Sequence, residues 1–493
     1  MFPSLLLLHT RVVLTELSAQ LGRATTFDDI SDETLDGYKL EGFDWIWMMG
    51  AWQTGAAGRE VSKTNADWRQ GYLEDLPDFT DADVAGSPFA VVRYEAHSDF
   101  GGDQSLARFR ERLRTRGIKL MLDYVPNHVA IDHAWAGEHP EYLIEGDEAI
   151  LAAEPQNWTR IGGRIFAHGR DPYFPGWRDT LQLNYRHAGL RAAMTAELEN
   201  IARRCDGVRC DMAMLLLPNV FRRTWGDRAL PSDGAPVDSP YWPEAIERAR
   251  GANPTFIFLS EVYWDLESAL QAQGFDYTYD KSYYDRLRAG NAESVRDHLH
   301  ADINYQNHCA RFLENHDEPR AIAVFERERY EAAAVLAHTV PGMRLFHQGQ
   351  GDGRRKRMNL HLSRQAEESP DPTLRDFYSR LLQTLRRDEF HRGRWRLLNC
   401  RAAWAENPTW NNFIAFEWCD IDSSRLWVAV NYGSTQGQCY VEFGDNWLRD
   451  KPVLLRDQMS RTWYQRDGNE LATRGLYLDM PAWGYHIFDV TAT

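Results

Sequence analysis

Asp206-Gly207-Val208-Arg209-Cys210-Asp211-Met212-Ala213 reads as a short buried strand that carries charge into the middle of a protein. Alternate side chains of a strand share a face, so Arg209 and Asp211 point the same way. A guanidinium beside a carboxylate favours the anion. An ionised, positioned aspartate is what attack on a sugar carbon requires. A lone Arg-x-Asp would be read as a structural ion pair. Three further apolar runs that end in acids or histidines change that reading. They are Gly117–Val125 before Asn127-His128, Thr255–Ser260 before Glu261, and Cys309–Glu314 before Asn315-His316-Asp317.

Outward from these runs, strand-like and helix-like segments alternate. Leu5–Leu14, Phe43–Met49, Gly117–Val125, Gly207–Met212, Thr255–Val262, Phe275–Tyr279, Cys309–Glu314 and Gly342–His347 read as strands. Phe27–Glu41, Gln104–Arg116, Leu190–Arg204, Pro240–Arg250, Leu266–Gln273, Asn291–His300, Arg327–His338 and Pro372–Arg387 read as helices. About eight strands, each followed by a helix, predict a (β/α)8 TIM barrel, an α/β fold. The expected barrel comprises residues 1–129 and 182–397. Residues 130–181, rich in Gly, Pro, Trp and His without a clear period, form an inserted domain after the third strand. From 398 to 493, short alternating runs separated by turns such as Asn431-Tyr-Gly predict a C-terminal antiparallel β-sandwich domain.

Composition narrows the function classes. The chain has 493 residues, with 72 acidic against 56 basic side chains and a formal charge of −16. That excess argues against a nucleic-acid or anionic-membrane partner, because such surfaces need clustered positive charge. Sugar rings stack on aromatics, and 18 Trp, 21 Tyr and 22 Phe suit a carbohydrate site as well as they suit a core. The six cysteines have no metal-ligand spacing. With no basic n-region before Leu5–Leu8 and no run long enough to span a bilayer, the expectation is a reducing cytoplasm. Oligomeric state is open.

Barrel enzymes place catalytic groups where strands end at the C-terminal face. The four strand-end clusters, in this order, resemble the four short signatures of the α-amylase superfamily, glycoside hydrolase family 13. The resemblance covers most of the chain, since the insertion and the C-terminal β domain are also family features. It implies Asp211 as nucleophile, Glu261 as general acid/base and Asp317 as the third carboxylate, bound to sugar hydroxyls. Glu261 ends an apolar strand beside Val262 and Trp264, a setting that raises a carboxyl pKa. His128 and His316 are implied to hydrogen-bond the sugar being cleaved, and Asp123 to hold Arg209. The family's stacking Tyr falls on Phe89, and Trp52 and Trp264 are further candidate platforms.

No cofactor is required by this chemistry, although the residue at Asn127 often helps bind a structural calcium in the family. Two departures bear on specificity. Met214-Leu215 stands where many members carry Lys-His, which weakens both the calcium expectation and starch-type cleavage. Gly50 stands where a Pro is usual. Arg354-Arg355-Lys356-Arg357 follows the eighth strand, where barrel loops often bind phosphate. It is either an anion site or a solvated loop. The expected activity is a retaining α-glycoside hydrolase acting on small α-glucosides or short α-glucans. The alternative is a transglycosylase, glucoside isomerase or phosphorylase using the same intermediate, including on a phosphorylated sugar. A non-catalytic carbohydrate-binding relative would be expected to lack one of the carboxylates.

Overall fold

Eight parallel strands close on themselves in chain order in a computed structural model that describes residues 2–420, 424–444 and 447–492. Residues 1 and 493, the outer ends of the expected domains, lie outside that description. The barrel strands are β1 (Ser4–His9), β2 (Trp45–Met49), β3 (Lys119–Tyr124), β4 (Gly207–Cys210), β5 (Ile257–Ser260), β6 (Tyr277–Tyr279), β7 (Cys309–Phe312) and β8 (Met343–His347). The ring closes where Leu7 of β1 pairs with His347 of β8. Strands in such a barrel are covered on both faces and so read as unbroken apolar runs. All of Trp45–Met49 is buried, for example.

That same property misplaces one boundary. The expected strand Leu5–Leu14 leaves the sheet at His9, and Thr10–Leu21 is a helix that buries Val12 and Leu14. An apolar run continues through the change because strand and helix feed one core, so hydropathy alone does not mark it. Phe27–Glu41 likewise divides into a 3-10 turn at Phe27–Asp29 and a helix at Asp32–Glu41 that Ser31 caps.

Two excursions rise over the C-terminal face. The first, between β2 and the helix Gly102–Arg114, pairs Trp52–Thr54 with Val91–Ala96 and carries the helices Ala56–Thr64 and Ala66–Asp75. Sequence periodicity assigned no element there. The loop after β8 packs on it: Leu362 joins Tyr72, Leu76 and Val84 in a small core, and Arg364 pairs with Asp83 at 2.7 Å. The second excursion follows β3. Its ends are zipped together, His128–Ala130 against Thr180–Gln182, and a hairpin of Trp158–Ile161 and Arg164–Ala167 lies within it.

The C-terminal strands are β9 (Arg394–Ala402), β10 (Phe413–Cys419), β11 (Arg425–Asn431), β12 (Gly437–Glu442), β13 (Pro452–Asp457), β14 (Trp463–Asp467), β15 (Leu476–Met480) and β16 (Tyr485–Ala492). They form one antiparallel sheet in the order β14-β13-β16-β11-β10-β9-β12-β15. Strand β9 serves two neighbours, pairing with β10 over Arg394–Leu398 and with β12 over Asn399–Ala402. The period of two then separates two interfaces. Ile414, Phe416 and Trp418 join the barrel's core, whereas Phe413, Ala415, Trp427 and Ala429 line the sheet's own core.

Candidate active site

Arg209 organises the open end of the barrel. Its side chain is fully buried and forks: Nη1 donates to Asp211 Oδ1 at 2.6 Å, and Nη2 lies 2.7 Å from Glu261 Oε2. Asp317 Oδ2 is 3.8 Å from the same Nη2. One cation thus faces three carboxylates from β4, β5 and the end of β7, and rings cover what they leave open. Phe89, Trp47 and Tyr279 lie 5.2, 5.5 and 5.8 Å from the guanidinium carbon. An arginine suits this position because its planar fork meets several anions at once, which a lysine's point charge does not.

The chain bends sharply after the aspartate. Met212 holds φ 43° and ψ 43°, a left-handed conformation that a non-glycine residue adopts at a cost of about 1–3 kcal/mol. The bend aims the Met212 N–H at Glu261 Oε2, 2.7 Å away, and the Ala213 N–H at the Glu261 carbonyl. Strain here locks two strand ends together. The other Glu261 oxygen, Oε1, accepts from the Tyr263 hydroxyl at 2.8 Å. Sequence reasoning passed over Tyr263, although a residue two positions beyond a strand-end acid shares its face.

The acids are held in different states. Burial pushes Glu261 up to about 8; Arg209 pulls against this, and the charges of Asp211 and Asp317 add to it. For Asp317 burial also acts upward, but His316, whose Nε2 lies 3.0 Å away, and Arg209 outweigh it and hold the carboxyl well below its usual range. The Asp317 side chain is 34% exposed to the cleft, the Glu261 side chain only 4%. A protonated Glu261 therefore stands beside an ionised Asp317 across a shared cation.

The strand-end residues before the insertion sort differently from expectation. Asp123 does not reach Arg209 by a hydrogen bond. It is fully buried, accepting from Trp47 Nε1 at 2.9 Å and from the Gly50 N–H at 2.6 Å, and burial raises it to about 6. Its charge and that of Arg209 interact directly, and it also holds the Trp47 ring that covers the guanidinium. Gly50 replaces the usual Pro for two reasons: it supplies that N–H, which Pro lacks, and it sits at φ 74°, which Pro cannot adopt. Trp52 is likewise corrected. It is fully buried and its indole donates to the Asp123 carbonyl at 2.7 Å, so it is core and not a platform.

Phe89 lies between Arg209 and His316, its ring 5.6 Å from the imidazole. His128, 4% exposed, packs 5.1 Å from Trp177, and burial lowers its pKa. The Asn127 side chain is committed to Gln182: its Nδ2 donates to Gln182 Oε1 at 3.2 Å, and Gln182 Nε2 donates to Asn127 Oδ1 at 3.1 Å. Calcium needs about six or more oxygens. Among the described residues no group of three His, Cys, Asp or Glu side chains gathers to hold a metal. The pair of Asn127 with Gln182 fastens the end of the insertion.

Trp264 stands at the rim three residues beyond Glu261. It has φ 66°, and Tyr173 from the insertion meets its ring edge-on at 5.0 Å. Tyr173 and Phe174 are exposed there, their amides both bonded to Asp171. The basic stretch after β8 is partly spent on protein acceptors. The Arg355 and Lys356 amides donate to Glu368, Lys356 Nζ to the Glu74 carbonyl, and Arg354 to the Ala366 carbonyl.

Comparison with known proteins follows from this geometry. Residues 92–396 match the model of the alpha-amylase catalytic domain. The alpha-amylase MalA of Haloarcula japonica is 30% identical over 298 residues, which are 58% of this chain and 39% of that protein. An alpha-glucosidase of Culex pipiens is 23% identical over 301 residues, 52% of this chain and 51% of that one. The match thus spans about half or less of the length of these curated relatives. Among solved structures, the maltogenic alpha-amylase AmyB of Thermotoga neapolitana is similar with a TM-score of 0.70 over 100% of this chain and 99% of that one, at 17% identity. The trehalose-6-phosphate hydrolase of Bacillus licheniformis gives 0.64 over 99% of each chain at 13% identity. At such identities the likeness is one of fold.

Proposed function

This chain belongs to the alpha-amylase family, and from that membership we propose that it is a retaining α-glycoside hydrolase of small α-glucosides or short α-glucans. The observation that carries the proposal is the shared grip of Arg209 on Asp211 and Glu261. Double displacement needs two carboxyl groups close together, about 5–5.5 Å apart in retaining enzymes against about 6.5–9.5 Å in inverting ones. Asp211 attacks the anomeric carbon while Glu261 gives its proton to the departing oxygen. A glycosyl ester on Asp211 results, and Glu261, now ionised, draws a proton from the incoming water. Asp317, ionised and open to the cleft, accepts hydrogen bonds from sugar hydroxyls.

Two features support the substrate class. Both curated relatives are named for action on α-glucosidic bonds. Tyr173 and Trp264, which meet edge-on three residues beyond Glu261, offer aromatic surface of the kind that packs on sugar rings. The six cysteines are all free thiols, which suits the reducing cytoplasm in which we place the protein. No helix of the described residues is long and apolar enough to cross a membrane.

The test is a product assay on a panel of α-linked disaccharides, aryl α-glucosides and their 6-phosphates, with and without inorganic phosphate. Release of free glucose with retained α-configuration is the expected outcome. Transfer products or glucose 1-phosphate in place of hydrolysis would assign the same intermediate to a transglycosylase or phosphorylase. Binding without turnover of any substrate would leave a carbohydrate-binding protein.

A further inference from the structure

Both oxygens of Glu261 are engaged, by partners of different kinds. Oε2 lies 2.7 Å from Arg209 Nη2 and accepts from the Met212 N–H at 2.7 Å. A guanidinium and a backbone amide can only donate, so a hydrogen placed on Oε2 would face two others. Oε2 is therefore an acceptor in both charge states of the acid. Among the described residues the single partner of Oε1 is the Tyr263 hydroxyl, 2.8 Å away. A hydroxyl adjusts to either role. The proton that burial keeps on Glu261 is thus carried by Oε1. Each carboxyl oxygen has two lone-pair directions. Tyr263 takes one of them at Oε1, and the proton has the other.

Tyr263 is itself held. Its half-buried ring packs on the barrel core. The chain then turns through two left-handed non-glycine residues, Trp264 at φ 66° and Asp265 at φ 57°, and Asp265 Oδ1 accepts from Ser282 Oγ at 3.0 Å. The contact with Glu261 is the only hydrogen bond of the Tyr263 hydroxyl among the described residues. Burial, with the charges of Glu261 and Asp317 adding to it, pushes the phenol well above its usual range, so the hydroxyl keeps its hydrogen.

We propose that Glu261 delivers its proton from Oε1 and that Tyr263 is a positioning residue for that step, its O–H fixing Oε1 and taking up the negative charge that appears there as the proton leaves. The proposal rests on the glycosidase reading and deepens it. As the bond from the anomeric carbon to the leaving oxygen breaks, its electron pair goes to that oxygen, which takes the Oε1 proton. Asp211 supplies the pair for the new bond to the carbon, and Glu261 is left ionised. A donor aimed at an atom where charge develops stabilises the transition state more than the ground state. The help of Tyr263 therefore scales with how much protonation the leaving group needs. It is large for a sugar or alkyl alcohol, smaller for a phenol, and close to nothing for fluoride, which departs as an anion.

Tyr263→Phe removes the hydroxyl and keeps the ring. Its kcat/KM, which reports the first bond-breaking step, is compared with that of the unmodified enzyme on a leaving-group series, with thermal unfolding as the control for folding. The series is the α-linked glucose disaccharide cleaved fastest, methyl α-glucoside, p-nitrophenyl α-glucoside and α-glucosyl fluoride. The expected loss is about tenfold or more on the disaccharide and the methyl glucoside, as for a hydrogen bond to a charged group, and close to none on the fluoride. The aryl glucoside should fall between, and the alkaline limb of the pH profile should rise. A ring-fluorinated tyrosine in place of Tyr263 is a stronger donor of nearly the same shape and should move that limb down. It carries the test if the Phe variant does not fold. A Tyr263→Phe loss that is equal across the series, or a fluorinated enzyme whose alkaline limb stays in place or rises, would overturn the proposal. An unmodified enzyme that cleaves no member of the series would overturn the glycosidase reading itself and take this inference with it.

Discussion

Replacing Arg209 with Met tests the centre of the mechanism. The substitution keeps the approximate volume under Phe89, Trp47 and Tyr279 while removing the cation between Asp211 and Glu261. At an effective dielectric of about 20, a unit pair about 4 Å apart is worth about 4 kcal/mol. Removing the cation therefore takes stabilisation from the carboxylate form of Glu261. The site titrates as a unit, so this appears in the macroscopic limbs of the pH–rate profile. The alkaline limb, which reports Glu261 losing its proton, moves up, because Arg209 pulls Glu261 downward in the native protein. The maximum should therefore fall while the alkaline limb shifts to higher pH.

About 4 kcal/mol of lost electrostatic stabilisation in the transition state corresponds to a loss of about a thousandfold in kcat/KM. Stability suffers less, because a bound proton takes over part of the neutralising work of the guanidinium. Arg209→Lys should fall between, since a point charge cannot fork. The assay is kcat/KM on an aryl α-glucoside from pH 5 to 9, beside the thermal midpoint. An Arg209→Met enzyme within tenfold of the parent and with an unmoved profile would refute the clamp.

The other expectations are narrower. Asp211→Asn should abolish nearly all turnover of that substrate while the far-ultraviolet spectrum and thermal midpoint stay close to those of the parent. Tyr263→Phe removes the donor to Glu261 Oε1, disfavouring the carboxylate form, so the alkaline limb should rise and kcat should fall several-fold; a limb that moves down would count against the contact. Gly50→Ala adds a Cβ 2.6 Å from the Pro88 Cβ at a position with φ 74°, and should cost about 1–3 kcal/mol in denaturant unfolding.

The barrel was legible because its strands are buried on both faces, so hydrophobic runs such as Lys119–Tyr124 and Met343–His347 stand out wherever the chain enters the core. The same rule blurred the change from β1 to the helix that follows it, and it gave no purchase on residues 52–96, whose helices bury little and close a separate small core with Leu362. The C-terminal strands were legible for the opposite reason, their period of two.

The sequence by itself determined that Asp211, Glu261 and Asp317 would come together, since each follows an apolar strand, and strand ends in a closed barrel converge on one face. It could not determine how neighbours divide the work there. That Asp123 binds Trp47 and Gly50 and not Arg209, that Asn127 pairs with Gln182, and that Trp52 is core are contacts between segments far apart in the chain. The protonated state of Glu261 also comes only with the fold. It depends on the removal of water and on a single cation placed from another strand, and neither is written in local order.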